Sequence, residues 1–155
     1  MARITGDIVI DRPVEEVFDY VADERNEPSY NPRMLWVKLL TPAPIGVGSR
    51  FAAAHRGRRQ PVRMQIEFTA YERPRRLAST TTMARGPEVH GVLHFEPVAT
   101  GTRMRWDWSL SLRGPARLAT PVVSALGSRQ ERACWQGLKR LLESGTEQDG
   151  PIPAR

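Results

Sequence analysis

Apolar positions along the chain change their period twice, and the changes divide it into three parts. Ile4 to Ile10 (I-T-G-D-I-V-I) reads as a short strand. Val14, Val17, Phe18 and Val21 then recur at i, i+3, i+4 and i+7, the single apolar stripe of an amphipathic helix. Pro13 suits its first position, where a missing N–H costs nothing, and Glu15 and Glu16 lie in the first turn, where the helix dipole favours them. The helix does not continue. Asp23 to Tyr30 fits a second, shorter helical piece, and Asn31, held before Pro32, is pushed towards an extended conformation.

From Arg33 the period falls to two, the signature of half-buried strands. Met34–Leu40 is mostly apolar and is closed by the turn T-P-A-P-I-G-V-G. In Ser49–His55, Phe51, Ala53 and His55 share one face. Val62, Met64, Ile66 and Phe68 alternate with Arg63, Gln65, Glu67 and Thr69. Leu77–Met83 follows, with Ser79 and Thr81 on the parity of Leu77. Val89, Leu93 and Phe95 oppose His90, His94 and Glu96. After the Thr100-Gly101 turn, Met104, Trp106, Trp108, Leu110 and Leu112 face one way, with Arg103, Arg105, Asp107, Ser109 and Ser111 facing the other. Six consecutive strands with short connections predict an antiparallel meander. The third part is helical again. Val123, Gly127, Gln130, Cys134, Leu138 and Leu141 repeat at steps of three and four, with Thr120 as the expected N-cap. From Pro121 to Ser144 that helix would run about 36 Å, enough to cross a sheet.

The order β, two short helices, six strands, long helix predicts an α+β fold in which a curved antiparallel sheet wraps a C-terminal helix. Composition agrees: 155 residues, 40% hydrophobic and 26% charged, suit one domain with a real core. Residues 1–145 are expected to form it, with 146–155 (T-E-Q-D-G-P-I-P-A-R) as a flexible tail. No apolar run approaches the ~20 residues of a membrane span, and the N-terminal M-A-R-I-T-G-D lacks a signal core, so a cytoplasmic location is expected.

The single cysteine, Cys134, excludes an internal disulfide and a thiolate metal cluster. A net charge of +6 comes from 21 Arg and 2 Lys against 17 acids. The arginines are scattered, with groups at 56–63 and 73–76 flanking a strand, and no basic helical face or RNA-binding aromatic signature accompanies them. Nucleic-acid binding is therefore disfavoured, and solvated loop charge is the simpler reading. His90 and His94 would be a metal pair on a helix, but on a strand they are about 13 Å apart, too far to share an ion. No metal and no cofactor is expected.

The segments I-D-R-P-V-E-E-V-F-D-Y-V-A-D, N-E-P-S-Y-N-P, G-V-G-S-R-F, Y-E-R-P-R-R-L, F-E-P-V-A-T-G-T-R-M and L-K-R-L-L-E occur in that order between Ile4 and Glu143. In order and spacing the chain resembles the START-like (SRPBCC) superfamily of helix-grip proteins. These include polyketide cyclases and aromatases, lipid-transfer START domains and pollen-allergen-type proteins. The resemblance implies a deep cavity between sheet and long helix, its mouth bordered by the two short helices. It places Tyr30 near that mouth.

A fold that hosts carriers, receptors and enzymes does not choose among them. On strand parity the inner face carries Phe51, Met64, Ile66, Phe68, Phe95, Met104, Trp106, Trp108 and Leu110, with the Ser79 and Thr81 hydroxyls. The long helix contributes Val123, Leu126 and Gln130. Taken singly each apolar residue is explained by core filling; as a set under Gly127 they suit a cavity for a flat or branched apolar molecule. Gly127 is equally explained by close helix–strand packing. Gln130 either bonds backbone or meets ligand or water.

His55 reads first as a wetted rim histidine, yet an inward histidine also serves as a general acid or base. No Ser-His-Asp set, phosphate loop or paired inward carboxylates are apparent, and Cys134 has no adjacent base. The primary expectation is a binder of a hydrophobic small molecule: a lipid, a polyketide or an aromatic metabolite. The alternative is a polyketide cyclase or aromatase working in the same cavity, with His55 and Tyr30 transferring protons and Gln130 orienting substrate.

Overall fold

Strands joined by short turns pair with their neighbours in sequence, and that local rule builds most of the sheet. The computed structural model describes residues 1–145, so the expected tail at 146–155 lies outside the described residues. Met34–Leu39 (β2), Arg50–His55 (β3), Val62–Glu72 (β4), Arg76–Met83 (β5), Val89–Val98 (β6) and Gly101–Leu110 (β7) form the antiparallel meander. Ala2–Ile10 (β1) adds to the free edge of β7, giving the order β1-β7-β6-β5-β4-β3-β2. The chain therefore crosses from one edge of the sheet to the other between β1 and β2. The helix Val14–Ala22 (α1) and a 3-10 helix at Glu24–Ser29 span that gap.

The 3-10 segment differs from the expected regular helix. Asp23 caps it by accepting from Arg25 N at 3.1 Å, and Pro28 lies inside it. The long helix, Thr120–Ser144 (α2), also starts differently. A preceding 3-10 turn, Gly114–Ala119, leads the backbone in already coiled, so Thr120 is itself helical. Its Oγ1 donates back to Arg117 O at 2.7 Å instead of capping.

The buried stripe of α2 is Cys134, Trp135, Leu138 and Leu142. The expected Leu141 is 36% exposed, because the stripe runs by fours from Leu138 and Leu142 takes the inward place. All four buried positions belong to the C-terminal half of α2. That half is tied to the end of β1: Lys139 Nζ donates to Val9 O at 2.7 Å and to Glu143 Oε1 at 2.6 Å, and Glu143 Oε1 also accepts from Asp11 N at 2.9 Å. The N-terminal half has no fully buried residue and stands further off the sheet.

Two glycines explain how the sheet accommodates its tryptophans. Trp106 lies opposite Gly6 of β1, and Trp108 opposite Gly91 of β6. A Cβ on Gly6 would fall 2.3 Å from Trp106 Cζ2, and one on Gly91 would fall 1.7 Å from Trp108 Cζ3. Each ring thus lies flat over a neighbouring strand where no side chain competes. Around Trp106 the core is aromatic and closed. Phe18 meets Tyr71 at 5.2 Å and Phe95 at 5.1 Å between centroids, Phe51 meets Phe68 at 5.3 Å, and Trp106 meets Trp135 at 6.2 Å.

The buried Trp106 ring has nowhere to move, so Gly6→Ala should lower stability by about 1–3 kcal/mol, the usual cost of overpacking. Chemical denaturation reads it directly. An unchanged midpoint would show that the strand pair yields freely.

Candidate functional site

Because α2 is tight at one end and raised at the other, a cavity of about 600 Å³ opens between its N-terminal half, the sheet and the 3-10 segment. Of the residues expected to line a pocket, Tyr30, His55, Met64, Ile66, Ser79, Thr81, Trp108, Leu110, Val123, Leu126 and Gln130 border this space. Phe51, Phe68, Phe95, Met104 and Trp106 do not. They are buried inward residues, but they belong to the closed core at the other end of the sheet, where α1 and the C-terminal half of α2 cover them. Strand parity identifies the inner face and cannot say where along that face the helix lifts away.

Leu126 is 54% exposed and Gln130 is also exposed, so these two stand at the opening. Gly127 borders the cavity too, and a Cβ there would lie 2.3 Å from Ile4 Cδ1, so it also serves close packing on β1. Tyr30 is not on the rim. It is 6% exposed, within an aromatic row with Tyr20 and Trp135 at centroid distances of 6.2 and 5.9 Å. His55 pairs with Met34 and Val62 near the sheet edge. Burial, and then the Arg33 charge, lower its pKa, so the imidazole is neutral near pH 7.

The cavity also receives three carboxyls that the sequence pattern does not single out. Glu24 and Glu27 come from the 3-10 segment, where residues three apart eclipse one another and project the same way. Glu131 comes from α2, one residue beyond Gln130. Both Gln130 and Glu131 satisfy the helical spacing to Gly127 and Cys134, so periodicity alone cannot choose between them. The charged residue is the one turned inward. Asp7, Glu67, Glu88 and Glu96 all face solvent, as do His90 and His94. Asp107 forms a surface ion pair with Arg3 across the β1–β7 pair at 2.5 Å.

Glu131 Oε2 accepts from Trp108 Nε1 at 2.8 Å. Burial raises its pKa to about 7; the Trp108 hydrogen bond opposes this and the Glu27 charge adds to it. Trp135 also favours the charged form, though its Nε1 makes no hydrogen bond of normal geometry. Glu24 and Glu27 are hydrogen-bonded to each other, and burial raises both, Glu24 the further. Asn31 Nδ2 donates to Glu27 Oε1 at 2.7 Å and partly offsets the rise. Two desolvated carboxyls in contact cannot both ionise, so the pair shares a proton. Burial, with the same carboxylates nearby, pushes the Tyr30 phenol and the Cys134 thiol well up, leaving both protonated and unreactive as nucleophiles.

Among the described residues no group of three or more His, Cys, Asp or Glu side chains could hold a metal ion. None of the described helices is long and apolar enough to cross a membrane. An apolar cavity with a proton-rich inner end is therefore the chemistry on offer.

The family described as polyketide cyclase / dehydrase and lipid transport matches residues 1–143, and the chain belongs to it. No curated protein matches the sequence. Solved structures share the fold at low identity. A START superfamily protein from Mycobacterium smegmatis superposes with a TM-score of 0.80 at 13% identity, covering 93% of this chain and 99% of that one. The protein TTHA0849 from Thermus thermophilus gives 0.77 at 17% identity, with 92% and 98% covered. The di-domain ARO/CYC BexL from the BE-7585A biosynthetic pathway gives 0.76 at 20% identity; 92% of this chain matches 47% of BexL, one half of a two-domain protein.

Glu131 makes the site pH-sensitive in a defined direction. Its folded pKa of about 7 lies above the ordinary carboxylate value, so folding favours the protonated form. Its contribution to stability is full below about pH 4.5 and is lost as pH rises towards 7. Trp108 fluorescence should titrate with a midpoint near 7. Glu131→Gln should abolish that transition and make the protein relatively more stable at pH ~8, where the buried carboxylate is charged. A midpoint near 4.5, or none in the wild type, would contradict this burial.

Proposed function

We propose that this protein binds a hydrophobic small molecule, a lipid, polyketide or aromatic metabolite, in the cavity beneath the raised half of α2. The observation that carries the reading is the cavity itself. Its volume of about 600 Å³ falls in the range of small-molecule sites. Its walls are Met64, Ile66, Leu77, Val89, Leu93 and Leu110, and three of its polar groups are the carboxyls of Glu24, Glu27 and Glu131. Burying an apolar ligand there gains roughly 25 cal/mol per Å² removed from water. Membership of a family that spans polyketide cyclases, dehydrases and lipid transport supports the class of ligand.

A second reading, a cyclase or aromatase type of enzyme, is favoured by one observation. Glu131 titrates near neutrality beside an apolar cavity, the condition for a general acid or base. In this reading Glu131 is the first proton-transfer candidate and His55, neutral and nearer the sheet edge, the second. Tyr30 becomes a wall of the site, because its phenol is too strongly held in the protonated form to act as a base.

Diphenylhexatriene, a neutral apolar probe, should quench tryptophan fluorescence saturably at one per chain. Trp108→Ala should weaken it by about tenfold, the loss of one aromatic wall. Absence of saturable binding would reject the cavity as a ligand site. With a poly-β-ketone chain as substrate, Glu131→Gln should cost about 10²–10⁴ in turnover while affinity changes only a few-fold. Saturable binding with no turnover by the wild type would identify a carrier.

A further inference from the structure

We propose that the inner end of the cavity is a receptor for a protonated amine, so that the ligand is an apolar molecule carrying one basic nitrogen. This rests on the cavity being a ligand site.

The first argument is charge. Glu24, Glu27 and Glu131 border one space, and what they contact is neutral or acidic: Asn31, Trp108 and each other. Among the described residues none of the three has a basic partner within ion-pair distance. The groups whose charges act on them are also acidic: Glu27 and Asp23 on Glu24, and Glu27 on Glu131. The basic residues of the lining lie elsewhere. Arg33 acts on His55 beside β2 and β3, Arg56 follows the end of β3, and Arg85 belongs to the β5–β6 turn. The three acids thus come from the 3-10 segment and α2, and the arginines of the lining from other elements.

The second argument concerns Trp135. Its ring is 5% exposed and borders the cavity, yet its Nε1 has no hydrogen-bond partner. A buried donor left unmade is costly. Trp135 and Trp108 both act on the Glu131 carboxyl, and both favour its charged form. Two indole N–H groups thus address a carboxylate for which the protein supplies no cation. An ammonium group supplies it. Ionising Glu131 would then strengthen the Trp108 bond and draw in the idle Trp135 donor.

The third argument is shape. Tyr30 and Trp135 lie 5.9 Å apart at 31°, and both border the same end. Their faces suit an alkylammonium, which gains from aromatic walls once desolvated. A bare metal ion is not suited, since the carboxyls are not grouped to coordinate one.

The test compares three probes on one skeleton by calorimetry at pH ~7, near the Glu131 midpoint: 2-(1-naphthyl)ethylamine, 2-(1-naphthyl)ethanol and 1-naphthylacetate. The amine should bind about tenfold tighter than the alcohol, equivalent to ~1.4 kcal/mol, with the acetate weakest. Its binding heat should change between buffers of different ionisation enthalpy, because the cluster releases a proton. Glu131→Gln and Glu27→Gln should each remove the preference, so that amine and alcohol bind alike when both are measured on the same variant. An alcohol or acetate that binds as tightly as the amine overturns the proposal, and that comparison needs no variant. An amine preference that survives the Glu24→Gln, Glu27→Gln, Glu131→Gln triple variant also overturns it. Failure of all three probes to bind would instead reject the cavity reading, and this proposal with it.

Discussion

The site depends on one close approach between two backbones. A Cβ on Gly137 would fall 2.5 Å from Tyr30 O, so only glycine lets the end of the 3-10 segment lie directly against α2. That contact sets Tyr30 beside Trp135 and carries Glu27 and Glu24, one and two turns earlier in the segment, under the same helix as Glu131. Beyond Gly137 the helix is packed through Leu138 and Leu142; towards Thr120 it touches β1 where Gly127 meets Ile4 but has no fully buried residue, and the cavity lies beside that half.

The proline-bounded break after α1 has its explanation in that geometry. A regular helix continuing from Ala22 would keep Glu24 and Glu27 on one side but offset by about 60° around its axis. The tighter 3-10 turn eclipses them and aims both into one space. Pro28 inside the segment and Asn31 after it help to end the coil, and Asn31 contributes twice more. Its Nδ2 holds Glu27, and its Oδ1 accepts from Arg33 N at 3.1 Å as the chain turns into β2. Local backbone choice thus becomes electrostatics: two carboxyls in contact, desolvated, sharing a proton.

Much of this is legible in the sequence and some is not, for separable reasons. The period-two segments mark all six strands of the meander and the inward parity of Phe51, Phe68, Met104 and Trp106. Such patterns report which face is inward, because burial on one side of a strand is a local property. They do not report whether an inward residue meets a helix or a void. That depends on where α2 packs, through contacts such as that of Gly137 with Tyr30, more than a hundred positions apart. Glu131 escapes the pattern for a different reason. It satisfies the helical stripe as well as Gln130 does, and an acid beside an apolar stripe reads as outward. The tryptophan at 135, one turn further on, is the available sign that the stripe passes through 131.

Trp106 and Trp108 show how little separates core from site. They lie two residues apart on β7 with the same parity, and each covers a glycine on the adjacent strand. Trp106 covers Gly6 on the β1 side, beneath the packed half of α2, and is 2% exposed with its Nε1 unpartnered. Trp108 covers Gly91 on the β6 side, beneath the raised half, and its Nε1 reaches Glu131. The first ring is held by packing alone, so its contribution is insensitive to pH. The second is held by a carboxyl whose protonation is balanced near neutrality, so its position is linked to whatever shifts that balance. A ligand that stabilises the charged form of Glu131 would tighten the Trp108 bond, and through the flat contact on Gly91 it would stiffen β6 against β7.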